Sequence, residues 1–234
     1  MEDSQGKIYD ELRSALQFYQ ALGVEALPAL HRTVPERSRA AGGKAEQLTR
    51  LREEIGDCTR CKLSEGRKNI VFGEGDAGAL LMFIGEGPGR EEDIQGRPFV
   101  GDAGMLLTKL IEKMSIGEKN LTRGDVYIAN IVKCRPPMNR DPEEDEIASC
   151  RGFIERQIEI IRPKIIVTLG RIALQTLLKR PELRITAARG NFFEYGGIPV
   201  MPTFHPAYLL RNPKDKWLTW SDAQKVMERL DGHD

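Results

Sequence analysis

Four short runs of almost wholly apolar residues limit what this chain can fold into: residues 79–84 (ALLMFI), 126–132 (VYIANIV), 164–169 (KIIVTL) and 199–204 (PVMPTF). A strand with one face in water alternates polar and apolar residues. A run without alternation is buried on both faces, as in a parallel sheet covered by helices above and below. Helical periods lie between the runs, over residues 103–114 and 142–161, after Gly170 (RIALQTLLK), and over residues 213–230. The alternation predicts an α/β three-layer sandwich with a central four-stranded, mainly parallel sheet, its site at the C-terminal ends of the strands. The helix over 142–161 reads as starting with Asp141 as N-cap and Pro142 at its first position, followed by Glu143, Glu144 and Asp145. Its apolar positions Ile147, Cys150, Ile154, Ile158 and Ile161 recur at three and four, which turns Cys150 toward the core.

Residues 46–234 hold this domain, and residues 1–45 differ from it. Ile8, Leu12, Leu16, Tyr19 and Leu22 predict an N-terminal helical extension over residues 7–22, and residues 23–45 have the composition of a linker. With 40% of its 234 residues hydrophobic, the chain can bury a sizeable core. Its 35 basic residues are balanced by 35 acidic ones, so bulk charge does not hold it on nucleic acid; such a contact must use a local basic patch. No apolar run approaches the roughly 20 residues that cross a bilayer, and no membrane partner is expected. The first residues, MEDSQGKIYDELRS, carry no apolar signal region. A cytoplasmic monomer is expected, in a reducing compartment where cysteines serve more naturally as metal ligands than as disulfides.

The four cysteines are Cys58, Cys61, Cys134 and Cys150, spaced C-x2-C, then 72 residues, then C-x15-C. Two thiolates in a C-x-x-C turn reach one metal centre together, and the other ligands must come from elsewhere in the fold. Cys134 follows the second strand and Cys150 lies two turns into the next helix, so both can converge beside the sheet. Zinc ribbons pair two C-x-x-C knuckles and only one is present; a [4Fe–4S] cluster tolerates irregular spacing. Spacing alone leaves iron–sulfur and zinc both open. A thioredoxin-like redox pair fits less well, because C58-T-R-C61 does not open the helix of a βαβ unit.

Two strand ends carry the remaining chemistry. The first ends in Gly85-Glu86-Gly87-Pro88-Gly89, followed by REED and Gly96-Arg97-Pro98-Phe99-Val100-Gly101. Three glycines in five residues let backbone approach a ligand closely. The Lys-Ser/Thr of a phosphate loop is absent, and a plain strand-to-helix turn is the simpler alternative. The fourth strand ends in His205-Pro206-Ala207-Tyr208-Leu209-Leu210-Arg211. Among three histidines His205 alone follows a strand end, where α/β domains gather catalytic groups. The paired leucines either pack on the core or form a wedge for a stacked partner.

GEGPGREED with GRPFVG, then NIVKCRPPMNR, then HPAYLLR, in that order and with all four cysteines, resemble the family 4 uracil-DNA glycosylases over residues 50–230. That resemblance implies a uracil-DNA glycosylase-like fold, a [4Fe–4S] cluster on Cys58, Cys61, Cys134 and Cys150, and uracil-containing DNA, single- or double-stranded, as partner. Carried over by position, Glu86 and Gly87 line the uracil and water site, Phe99 stacks on the flipped base, Asn130 reads its edge and His205 contacts O2. Glu86 and His205 are the implied catalytic groups. Leu209 falls where the family's intercalating leucine sits, and Arg211 beside it faces DNA. Lys133, Arg135 and Arg140 read as further phosphate contacts, with a solvated basic face as the alternative.

Family 1 enzymes place a thymine-excluding tyrosine where Gly89 stands here, which leaves Glu92 or the loop backbone to do that work. The chain has no insertion like the KRRIH-containing loop of relatives trapped covalently on DNA, so turnover is expected. The rival readings are an iron–sulfur module that binds DNA without cutting it, and an electron-transfer or zinc protein.

Overall fold

The computed structural model describes residues 42–232. The helix expected over residues 7–22, most of the linker, His31 and His233 lie outside the described residues.

The first helix, α1 (Lys44–Ile55), buries Leu48, Leu51 and Ile55. Strands follow at β1 (Glu74–Gly75) and β2 (Leu81–Gly85), then helices α2 (Arg90–Gln95) and α3 (Asp102–Lys113), and a small ribbon of β3 (Ser115–Ile116) and β4 (Lys119–Asn120). Next come β5 (Tyr127–Asn130), α4 (Glu144–Ile161), β6 (Ile165–Leu169), α5 (Arg171–Leu178) and α6 (Ile185–Ala188). The chain continues through β7 (Phe193–Tyr195), β8 (Ile198–Thr203), α7 (Pro206–Arg211) and α8 (Lys216–Leu230).

The sheet order is β1-β5-β2-β6-β8-β7. The four inner strands are the four apolar runs, and they pair in parallel. Two short antiparallel strands, β1 on β5 and β7 on β8, extend the sheet to six. These edge strands have two and three residues, too few to show a period in the sequence.

Every residue of β2 is buried. Leu81 and Phe83 face one core with Leu107 and Ile111 of α3 and Val226 of α8. Met82 and Ile84 face the other with Leu51 of α1, Ile154 and Ile158 of α4 and Ala173 of α5. Two apolar cores on opposite faces of one sheet make the three layers and explain why these strands do not alternate. Among the described residues no helix is long and apolar enough to cross a membrane.

One helix start differs from the expectation. α4 begins at Glu144 with Glu143 as N-cap, and the Glu143 N–H donates to the Glu146 carboxylate at 2.7 Å. A carboxylate three residues inside a helix closes back on the cap amide, and that box fixes the start two residues later than Asp141 would. Asp141 is left free to pair with Arg171. Cys150 does face inward, with 9% exposure.

Candidate active site

The C-terminal ends of β2, β5 and β8 open onto a cavity of about 500 Å³. Strand β2 delivers Glu86 and Gly87, β5 delivers its last residue Asn130, and β8 leads into His205; the segment before α3 adds Phe99. Parallel pairing sets Gly85 opposite Asn130. A Cβ at Gly85 would stand 2.5 Å from both Asn130 Oδ1 and the tip of the Phe99 ring. Only glycine lets those two side chains converge over the strand end.

Asn130 is 1% exposed and its Oδ1 accepts no hydrogen bond. Buried polar atoms are rarely left open, because desolvation without a partner costs about 1–3 kcal/mol. The orphaned acceptor lies at the cavity wall and demands a donor from whatever binds there.

The Ala207 backbone N–H donates to His205 Nδ1 at 3.1 Å. That bond assigns the proton of the neutral ring to Nε2. Burial pulls the His205 pKa down to about 4, the nearby Arg211 charge adds to the shift, and Glu92 opposes it. The ring is therefore a neutral donor at neutral pH. The Phe99 ring lies 5.8 Å from it, centroid to centroid, tilted by 35°.

Burial raises the Glu86 pKa to about 7, Asp141 adds to the shift, and Arg171 opposes it. Asp141, read from sequence as a helix cap, thus lines the cavity instead. No motif marked it or Arg171. Glu92 is committed elsewhere: its carboxylate accepts from the backbone N–H groups of Gly89, Val100 and Gly101 at 2.9–3.1 Å. It ties the two glycine loops together, and both of its oxygens are occupied.

The structure departs from two expectations at the rim. Leu209 is 3% exposed and lines an apolar hollow with Leu107 and Phe204, while Leu210 is 43% exposed. Helical pitch from Pro206 sends the first leucine inward and leaves the second at the surface. Lys133 cannot meet a phosphate. It is fully buried, and its ammonium donates to the Asn130 carbonyl and to Gln157 Oε1, both at 2.7 Å. Arg135 donates to Asn139, and Arg140 makes two bonds at 2.7 and 2.8 Å to the buried Glu146 carboxylate. Arg211 remains exposed at the cavity mouth.

On the α1 and α4 side of the sheet all four cysteines are free thiols. They fall in and around one core cluster, Cys134 and Cys150 within it and Cys58 and Cys61 packed against it. Burial raises the Cys134 thiol to about 11; Arg67 opposes this, and Cys150 and Cys61 add to it. Burial also raises Cys150, with Lys133 opposing and Cys61 and Cys58 adding. Three N–H donors point at sulfur: the Lys133 backbone at Cys150 (3.3 Å), Arg60 at Cys58 (3.2 Å) and Arg67 at Cys134 (3.6 Å). Among the described residues no group of three or more His, Cys, Asp or Glu side chains is placed to hold a single metal ion.

The Uracil DNA glycosylase superfamily model matches residues 72–226. The chain is 48% identical over 192 residues to the type-4 uracil-DNA glycosylase of Saccharolobus solfataricus, spanning 79% of this chain and 87% of that protein. It is 49% identical over 170 residues to the type-4 enzyme of Thermotoga maritima, 72% and 86% of the two chains. Similarity to the type-5 uracil-DNA glycosylase of Pyrobaculum aerophilum is lower, 32% over 66% of this chain and 72% of that one.

Proposed function

The chain belongs to the uracil DNA glycosylase superfamily and has the activity of a uracil-DNA glycosylase, a DNA-repair hydrolase, and from that premise we propose how its pocket releases the base. The open acceptor on Asn130 carries the reading. Uracil presents a donor at N3–H and an acceptor at O4, matched by Oδ1 and by the amide N–H of the same side chain. Cytosine presents the reverse pattern and leaves both buried groups unpaired. The base must leave the stack to enter the cavity, and Phe99 beside His205 offers it a face to stack on.

Breaking the bond from C1′ to N1 leaves its electron pair on the uracil, spread toward O2, and positive charge on the sugar. Neutral His205 donates from Nε2 to O2, where the negative charge develops, without first having to lose a charge of its own. Water adds to C1′ and passes a proton to the Glu86 carboxylate, which orients that water and stabilises the cation. Leu210 and Arg211 at the rim contact the DNA, the leucine filling the vacated stack and the arginine a phosphate. The enzyme acts as a monomer on single or double strands.

The four cysteines are proposed to hold a [4Fe–4S] cluster. Four thiols in and around one core cluster, with N–H donors on three of the sulfurs, support the cluster. Such a group carries an electron when bound, but base hydrolysis moves none, so its part here is to tie Cys58 and Cys61 to the segment after β5.

Purified protein releases free uracil from a uracil-containing oligonucleotide, with strong loss on His205→Ala and on Asn130→Ala. No release from either single- or double-stranded substrate overturns the proposal. Iron and sulfide without zinc in the same preparation test the cluster separately.

A further inference from the structure

Phe99 is a non-glycine residue at φ +52°, the left-handed region that side chains seldom adopt. Something must hold it there. Its carbonyl is pressed against α3, where a Cβ at Gly104 would stand 1.9 Å from the oxygen. Arg123, on the loop before β5, reaches the same peptide from the other side. Its guanidinium donates to the Phe99 carbonyl at 3.1 Å, to the Pro98 carbonyl at 2.8 Å and to Thr108 Oγ1 at 3.1 Å. Its remaining N–H groups bind the Glu74 carboxylate, which Arg97 also holds at 2.8 Å. Arg123 does not line the cavity.

Two consecutive carbonyls turned toward one planar donor fix the backbone on both sides of Phe99, and so the direction in which its ring leaves the chain. A lysine, with one compact charge, cannot span both oxygens in that fixed geometry. We propose that Arg123, anchored by Glu74, is a positioning residue for base release: it holds the Phe99 ring over Gly85 as the platform for the flipped base. This rests on the reading that Phe99 stacks on uracil.

The test is a double-mutant cycle in the full-length enzyme, read as single-turnover uracil release and as DNA affinity. Phe99→Ala alone tests the platform; unchanged release in that variant overturns the platform reading and the brace with it. Given a platform, Arg123→Ala lowers the release rate by roughly 10- to 100-fold, the scale of an ångström-level misplacement. DNA affinity changes less than about threefold, because Arg123 touches no substrate. In the Phe99→Ala background the same change costs less than about threefold in rate, since the ring it positions is gone. Equal losses in both backgrounds, or no loss from Arg123→Ala, overturn the brace and leave the platform standing. Should Arg123→Ala fail to fold, Arg123→Lys, which keeps the charge beside Glu74, is carried through the same cycle and judged by the same outcomes.

Discussion

The two titrating groups at the cavity wall make a pH profile the sharpest probe of the mechanism. The proposed mechanism requires Glu86 ionised and His205 neutral. Glu86 is raised to about 7 and His205 lowered to about 4. As pH falls through 7, Glu86 takes up a proton and the productive fraction drops, while His205 stays neutral until pH approaches 4. Uracil release measured as kcat/KM reports the free enzyme. It should therefore fall about tenfold per pH unit below 7, roughly a hundredfold by pH 5, each decade corresponding to about 1.4 kcal/mol. Glu86→Gln should remove that limb and leave a flat profile down to the His205 titration. Asp141→Asn takes away a charge that pushes Glu86 up, so its limb moves to lower pH; Arg171→Ala removes the opposing charge and moves it higher. The measurement is release of labelled uracil at limiting substrate and fixed ionic strength, since surface charges are screened by salt. A profile flat from pH 5 to 8, or a limb near 7 that survives Glu86→Gln, refutes the assignment of Glu86.

Four further outcomes are expected. Leu209→Ala should destabilise the fold by about 2–5 kcal/mol in calorimetry, because the side chain is buried. Leu210→Ala should leave the melting temperature in place and slow uracil release from double strands more than from single strands; the opposite pattern places the wedge at Leu209. Cys150→Ser should lose iron and lower the melting temperature, and a full iron content in that variant contradicts the ligand set. Glu92→Ala leaves three backbone N–H groups without their carboxylate, so it should cost about 2–4 kcal/mol in denaturant titration. It should also lower uracil release without admitting thymine; released thymine would return Glu92 to the role of a selectivity filter.

The four inner strands were legible because burial on both faces removes most of the polar residues that would otherwise interrupt them, as every position of β2 illustrates. That Glu86, Asn130 and His205 meet was legible because each stands at a strand end, and strand ends on one side of a parallel sheet must meet, whereas Phe99, between two helices, was legible only through the GRPFVG motif. What escaped was whatever depends on a single residue's direction. Leu209 and Leu210 are indistinguishable in composition, and only the phase of α7 decides which is buried. Lys133 looked like a surface cation until Asn130 and Gln157 enclosed it. Arg123 and Arg171 are lone charges with no motif around them, Asp141 reads as a helix cap, and their partners Glu74 and Glu86 lie far away in sequence.

The placement of Lys133 also bears on why the cysteines and the pocket occupy one chain. Asn130 ends β5 and Cys134 follows four residues later, with the buried ammonium of Lys133 between them bonded to the Asn130 carbonyl. Gln157 of α4 takes the same ammonium and donates to the Phe72 carbonyl and the Tyr127 hydroxyl. The Lys133 backbone N–H meets the Cys150 sulfur on that helix. The exit of the strand that carries Asn130 is thus pinned from the cysteine side, through bonds that are all buried and therefore strong. Anything that ties Cys134 to Cys150 fixes the same segment a second time. On the proposed reading the cysteines bear on the base through that geometry, by helping to keep the open acceptor of Asn130 where the N3–H of uracil would arrive.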